Sequence, residues 1–181
     1  KENGYRGAMY PWESALTGDE VTPEWGPVDV VTGTPTKIWT GLIEQHITSD
    51  VAYGVWQYYL ATGDQHFMDS KGYEVIMETA TFWATRLTWD EDRKRWVIRD
   101  VIGPDEYKEH VDNNAFTNYM AHWNLQTAIA CYEELQHDPS ELWTQLRDRL
   151  QLDQAYEEWK QKAENIYLPL PRETDLVIPQ D

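Results

Sequence analysis

The chain has 181 residues and a formal net charge of −17, with 15 Lys and Arg against 32 Asp and Glu, a balance that argues against nucleic acid or an anionic membrane surface as partner. Hydrophobic residues make up 41%, too many for a disordered chain. The single cysteine, Cys131, allows no intramolecular disulfide, and no segment has the length or apolarity of a membrane span or a signal peptide, so a cytoplasmic location is expected.

Gly7 to Gly41 is rich in Pro, Gly and Thr and is expected to be a long loop. A helical period then runs from about Leu42 to Ala61, with Ile43, Ile47, Val51, Gly54 and Tyr58 on one face and Gly63 as the stop. The next stretch places Tyr73, Ile76, Met77, Ala80, Trp83, Ala84 and Leu87 on a single buried stripe. Trp89 to Asn113 is a second long connection, with the short apolar run Trp96-Val97-Ile98. A third helix is expected from about Asn114 to Leu135, with Met120, Trp123, Thr127, Ala130 and Cys131 on its apolar side and Asp112 or Asn113 as its cap. A fourth begins at Asp138-Pro139-Ser140-Glu141, with Asp138 as cap, and breaks at Asp153, which caps a last helix to about Asn165. The tail from Tyr167 to Asp181 has three prolines and no helical period. The fold class expected is all-α.

The aromatic composition is skewed to 10 Trp and 11 Tyr against 3 Phe. Indole and phenol groups combine a flat apolar face with a polar handle, which suits sugar rings as well as half-wet packing. In the first loop Trp12 stands beside Glu13 and Glu24 beside Trp25, so an aromatic face and a carboxylate for hydroxyls occur twice. In the second, Gly103-Pro104 forces a turn that presents Asp105 and Glu106 from irregular backbone just ahead of a helix. A carboxyl group held there against aromatic walls would be desolvated and kept protonated, as a general acid requires. The alternatives are a solvated acidic loop and aromatics that only wedge loops against helices. Glu44, His46 and Asp50 lie close together in sequence, yet no second cluster has zinc spacing, so a capping or packing role is expected for them and no metal site. No nucleophile elbow or glycine-rich phosphate loop occurs.

The motifs Gly7-Ala8-Met9-Tyr10-Pro11-Trp12-Glu13-Ser14-Ala15, Thr62-Gly63-Asp64, Thr79-Ala80-Thr81-Phe82-Trp83, Ile102-Gly103-Pro104-Asp105-Glu106-Tyr107 and His110-Val111-Asp112-Asn113-Asn114, followed by Thr117-Asn118-Tyr119, resemble glycoside hydrolase family 65. The likeness extends through Ile178-Pro179-Gln180-Asp181. This resemblance implies an (α/α)6 barrel, or six-hairpin toroid, of which residues 1–181 would be a single fragment from the middle of the catalytic domain.

It further implies inverting phosphorolysis of an α-linked glucose disaccharide to β-glucose 1-phosphate, with Glu106 as general acid and inorganic phosphate as co-substrate in place of any cofactor. A hydrolase relative would use water and a second carboxylate about 6.5–9.5 Å from the acid. A non-catalytic helical sugar-binding piece is the third possibility. Trp12, Glu13, Thr22 and Glu24 are the acceptor contacts implied, with Asp105, Asn113 and Asn114 as further substrate-site or support residues. Lys108 and Phe116 depart from the family pattern, and a lysine near Glu106 would favour its carboxylate form unless it points to solvent. The loop at Glu20-Val21-Thr22-Pro23-Glu24-Trp25 looks closer to the kojibiose phosphorylase type than to maltose phosphorylases. The partners implied are the disaccharide and phosphate, with a homodimer possible through the parent polypeptide.

Overall fold

A computed structural model describes residues 4–137 and 139–170. The described chain is mostly helical, with two short antiparallel ribbons. The first ribbon pairs β1 (Trp25–Val28) with β2 (Pro35–Lys37). Then follow α1 (Thr40–Ile43), α2 (Ile47–Thr62), α3 (Gln65–Phe67), a π-helical turn over Met68–Gly72, and α4 (Tyr73–Arg86). The second ribbon pairs β3 (Thr88–Asp90) with β4 (Arg95–Val97), Trp89 opposite Trp96. Three helices close the described chain: α5 (Ala115–His137), α6 (Glu141–Leu150) and α7 (Leu152–Asn165).

The core forms around α4, which packs against α2, α5 and α7. Its whole expected stripe is buried, Ile76, Met77, Ala80 and Trp83 completely so. Leu125 and Ala128 of α5 and Trp159 of α7 complete this apolar centre. A helix covered from several sides writes its full 3.6-residue period into the sequence.

The first expected helix is two. The chain breaks at Glu44-Gln45-His46 between α1 and α2, and the buried residues of α2 are Thr48, Ser49 and Ala52 rather than the face expected. Gly54 and Tyr58 of the expected face are exposed. Small residues let α2 approach closely, and Thr48 uses its hydroxyl to accept a hydrogen bond from the Tyr10 amide (3.1 Å). Gly63 ends α2 in the left-handed conformation (φ 65°), where a glycine carries no Cβ penalty.

Helix α5 starts one residue beyond the expectation and includes buried Thr127 and Cys131, whereas Met120 and Trp123 are half-buried and Ala130 is exposed. Two expected caps are corrected. Ser140 caps α6 by accepting from the Trp143 amide at 3.0 Å; Asp138 lies outside the described residues. The break before α7 falls at Gln151, in the left-handed region at φ 53°. Asp153 does not cap, because both its oxygens accept from Arg147 at 2.6 Å and Oδ1 also accepts from the Tyr132 hydroxyl. Residues 171–181 of the tail, including Ile178-Pro179-Gln180-Asp181, lie outside the described residues, while Tyr167 is tied down by donating its amide to the Trp96 carbonyl.

Candidate active site

Three segments meet: the Gly7–Gly41 stretch, which carries the β1–β2 ribbon rather than being loop throughout, the break between α1 and α2, and the Gly103–Asn114 loop that bears Glu106. The break is joined to the root of the Glu106 loop by one backbone hydrogen bond, the Ile102 amide donating to the Ile43 carbonyl at 3.1 Å. His46 joins the other parts, its ring edge-on to Trp12 (5.9 Å between centroids) and to Phe116 at the start of α5 (5.2 Å). Trp39 meets His110 of the Glu106 loop in the same way at 4.6 Å.

The root of the Glu106 loop is fastened closely. Val101 and Val111 exchange backbone hydrogen bonds. Asp112 accepts from the Asp100 amide and His110 pairs with Asp100 (2.6 Å). Asn113 adopts a left-handed backbone (φ 52°) and is buried. Its amide donates to the Ile98 carbonyl at 2.7 Å, while its side-chain oxygen accepts from the Ile98 amide and from Asn118 Nδ2. Asn114, not Asp112 or Asn113, caps α5 by accepting from the Thr117 amide at 3.1 Å.

Above this root the loop projects outward. Asp105 accepts from the Tyr107 amide and, through its carbonyl, from the Lys108 amide, which makes it the organiser of the tight turn. Glu106 and Lys108 are exposed and Tyr107 is 98% exposed. The expected desolvation of Glu106 against aromatic walls is therefore not supplied by the described residues: those flanking it stand in solvent.

In the first loop Trp12 and Thr22 are half-buried, whereas Glu13 and Glu24 are exposed. Glu24 pairs with Lys37, whose ammonium also lies over the rings of Trp25 and Trp39. The organiser of this loop is Glu20, which the sequence reading did not single out. Glu20 Oε2 accepts from the Trp12 amide (2.6 Å), and Oε1 accepts from the Thr22 amide (2.7 Å) and hydroxyl (2.5 Å). Burial opposes its ionisation, but these bonds outweigh that and hold its carboxyl below the usual range. The only local signal in the sequence was a carboxylate two residues before a threonine.

The Glu44–His46–Asp50 cluster does more than pack. His46 donates from Nδ1 to Asp50 (2.7 Å) and from Nε2 to Glu44 Oε1 (3.0 Å). Burial disfavours the charged imidazole, yet the two carboxylates prevail and raise its pKa to about 9. Among the described residues no group of three or more His, Cys, Asp or Glu side chains has an arrangement that could hold a metal ion, and no helix is long and apolar enough to cross a membrane.

The sequence pattern of the glycosyl hydrolase family 65 central catalytic domain matches residues 1–181. The chain belongs to glycosyl hydrolase family 65. Within this family it is 54% identical to a kojibiose phosphorylase of Halothermothrix orenii, over 99% of this chain and 23% of that protein. It is 41% identical to a kojibiose hydrolase of Flavobacterium johnsoniae, over 81% of this chain and 20% of that one. A solved structure described as a candidate kojibiose phosphorylase from the human microbiome superposes with a TM-score of 0.70 at 21% identity, covering 89% of this chain and 21% of the other. That likeness concerns the fold. The chain thus spans less than a quarter of the length of each of these proteins.

Proposed function

We propose that this chain is the central part of an (α/α)6 barrel catalytic domain that carries out inverting phosphorolysis of a kojibiose-like α-glucoside disaccharide. Glu106 is the general acid in this reading and delivers its proton to the glycosidic oxygen. Inorganic phosphate attacks the opposite face of the anomeric carbon, giving β-glucose 1-phosphate and the free acceptor sugar. Phosphate arrives as an anion, so no protein base and no further cofactor is required. Trp12, Glu13, Thr22 and Glu24 would receive the acceptor, with Asp105, Asn113 and Asn114 holding the acid loop.

The observation that best supports this reading is the pairing of a firmly rooted turn, fixed at Ile102, Val111, Asn113 and Asn114, with an exposed carboxylate at its tip. A rigid root beneath a side chain free to meet a ligand is what a group that must reach a scissile bond requires. Exposure of Glu106 also fits a site whose remaining walls come from outside these residues. The 41% identical hydrolase relative supports a second reading, hydrolysis of the same bond by water with a base carboxylate beyond this chain.

The test is to incubate the full-length polypeptide that carries this chain with a panel of α-linked glucose disaccharides, with and without inorganic phosphate. Phosphate-dependent glucose 1-phosphate is the expected product. Free glucose formed equally without phosphate would replace phosphorolysis by hydrolysis, and sugar binding without turnover would leave only a binding role.

A further inference from the structure

Trp12 and Thr22, two of the acceptor contacts in the proposed reaction, lie on opposite arms of one hairpin. The arms meet where the Val21 amide donates to the Glu13 carbonyl (3.0 Å) and where Ser14 faces Glu20 in an antiparallel bridge. The tip is closed by the Gly18 amide donating to the Ala15 carbonyl (3.0 Å) and by the Thr17 hydroxyl donating to Asp19 (2.6 Å). Trp12 and Glu13 stand at the root of the first arm, Thr22 at the root of the second.

A single carboxylate bridges those roots. Glu20 Oε2 serves the first arm through the Trp12 amide, whereas Oε1 serves the second through the amide and hydroxyl of Thr22. Because each oxygen belongs to a different arm, the side chain sets the separation of Trp12 from Thr22. Two further contacts fix the bridge against the body of the protein. The Trp12 ring stands edge-on to His46 at 5.9 Å. On the other side Gly41 of α1 approaches so closely that a Cβ there would lie 2.8 Å from Thr22 Cβ and 3.2 Å from Glu20 Cδ and Oε1. Although Glu20 is exposed, both its oxygens are thus committed within a wedge between the hairpin and α1.

We propose that Glu20 is a positioning residue for the acceptor sugar, fixing the spacing of Trp12 and Thr22 so that a sugar ring lies against the indole while one of its hydroxyls reaches Thr22. The Thr22 hydroxyl already spends its proton on Glu20, so toward the sugar it offers lone pairs and accepts. Two contacts held at a set distance before the ligand arrives need less ordering on binding, and affinity for the acceptor gains accordingly. This inference rests on the reading that the first loop receives the acceptor.

The experiment runs the proposed reaction in reverse with the full-length polypeptide, forming disaccharide from β-glucose 1-phosphate and glucose, and measures the KM of each substrate separately. Glu20→Gln turns an amide NH2 toward one of the two arms. It is expected to raise the KM for glucose about tenfold, as loss of a hydrogen bond to a charged group allows, while kcat and the KM for β-glucose 1-phosphate change by less than about twofold. Gly41→Ala leaves the carboxylate in place but pushes on Thr22, and is expected to raise the glucose KM alone in the same way. Asp19→Asn removes a charge from the tip of the same hairpin and is expected to change neither KM. A fall in kcat or a joint rise of both KM values in Glu20→Gln is the mark of a merely structural role and overturns the proposal. An unmoved glucose KM in that variant, or an equal rise in Asp19→Asn, does the same. Should Glu20→Gln fail to fold, an unmoved glucose KM in Gly41→Ala overturns it instead. Trp12→Ala separates the two levels: an unmoved glucose KM there removes the acceptor reading of this loop, whereas a raised one beside an unmoved Glu20→Gln removes only the role of Glu20.

Discussion

Gly103 lies so close to the side chain of Asn114 that a Cβ built on it would come within 2.3 Å of Nδ2 and 2.4 Å of Cγ. The glycine of the Glu106 loop is thereby seated on the residue that caps α5. Gly103→Ala must push that amide aside, breaking the Thr117 cap and tilting the root of the loop. A loss of stability of about 1–3 kcal/mol is expected, as for other overpacked sites, with a fall in kcat at unchanged fold. Gly54→Ala in α2 provides the contrast, since its Cβ would meet nothing within 4 Å and alanine is the better helix former by up to ~1 kcal/mol. Chemical denaturation of both variants checks the pair, and equal stability for the two would contradict this packing.

Asn113 combines a left-handed backbone with a buried side chain that accepts from the Ile98 amide. Asn113→Ala loses on both counts, whereas Asn113→Gly keeps the backbone freedom and loses only the amide. The alanine variant is therefore expected to be the less stable of the two by roughly 1 kcal/mol, on top of a shared loss of about 1–3 kcal/mol from the orphaned Ile98 amide. Denaturant midpoints decide, and a glycine variant less stable than the alanine variant would contradict the strain account.

If Glu106 is the acid, Glu106→Gln keeps the shape of the side chain and removes its proton. The expected result in the full-length polypeptide is a fall in kcat of roughly 10²–10⁴-fold with KM changed only slightly. A larger effect on KM than on kcat would make Glu106 a binding residue instead.

What the sequence made legible follows from how each element is covered. The stripe on α4 was readable because neighbours cover that helix on several sides. On α2 the large apolar residues mislead, because the packed side of this helix is built from Thr48, Ser49 and Ala52, while Tyr53 and Tyr58 stand exposed. The Gln151 break was hidden because Asp153 looks like a cap until Arg147 and Tyr132, distant in sequence, are seen to claim it. At the candidate site the turn at Gly103-Pro104 and the aromatic-acidic pairs were visible as motifs. The role of Glu20 was not, since it depends on a partner brought in by the tertiary fold, the Trp12 amide.

His46 makes folding stability depend on pH in a predictable direction. Its pKa is raised from the ordinary 6.5 to about 9 by Glu44 and Asp50, against burial. A group whose pKa is higher folded than unfolded binds its proton more tightly in the native state, so its contribution is fully present below about 6.5 and is lost as pH rises through about 9. Lys162 acts oppositely: burial beside Trp96 lowers its pKa to about 8, so its penalty fades over part of the same range. The wild-type profile alone mixes these slopes, and the comparison with His46→Gln isolates the histidine. The variant is expected to be less stable than wild type at pH 6, and the gap is expected to narrow steadily by pH 10. Denaturant unfolding at a series of pH values measures that gap, and a gap of the same size at pH 6 and pH 10 would mean that His46 contributes by packing between Trp12 and Phe116 rather than as an imidazolium between two carboxylates.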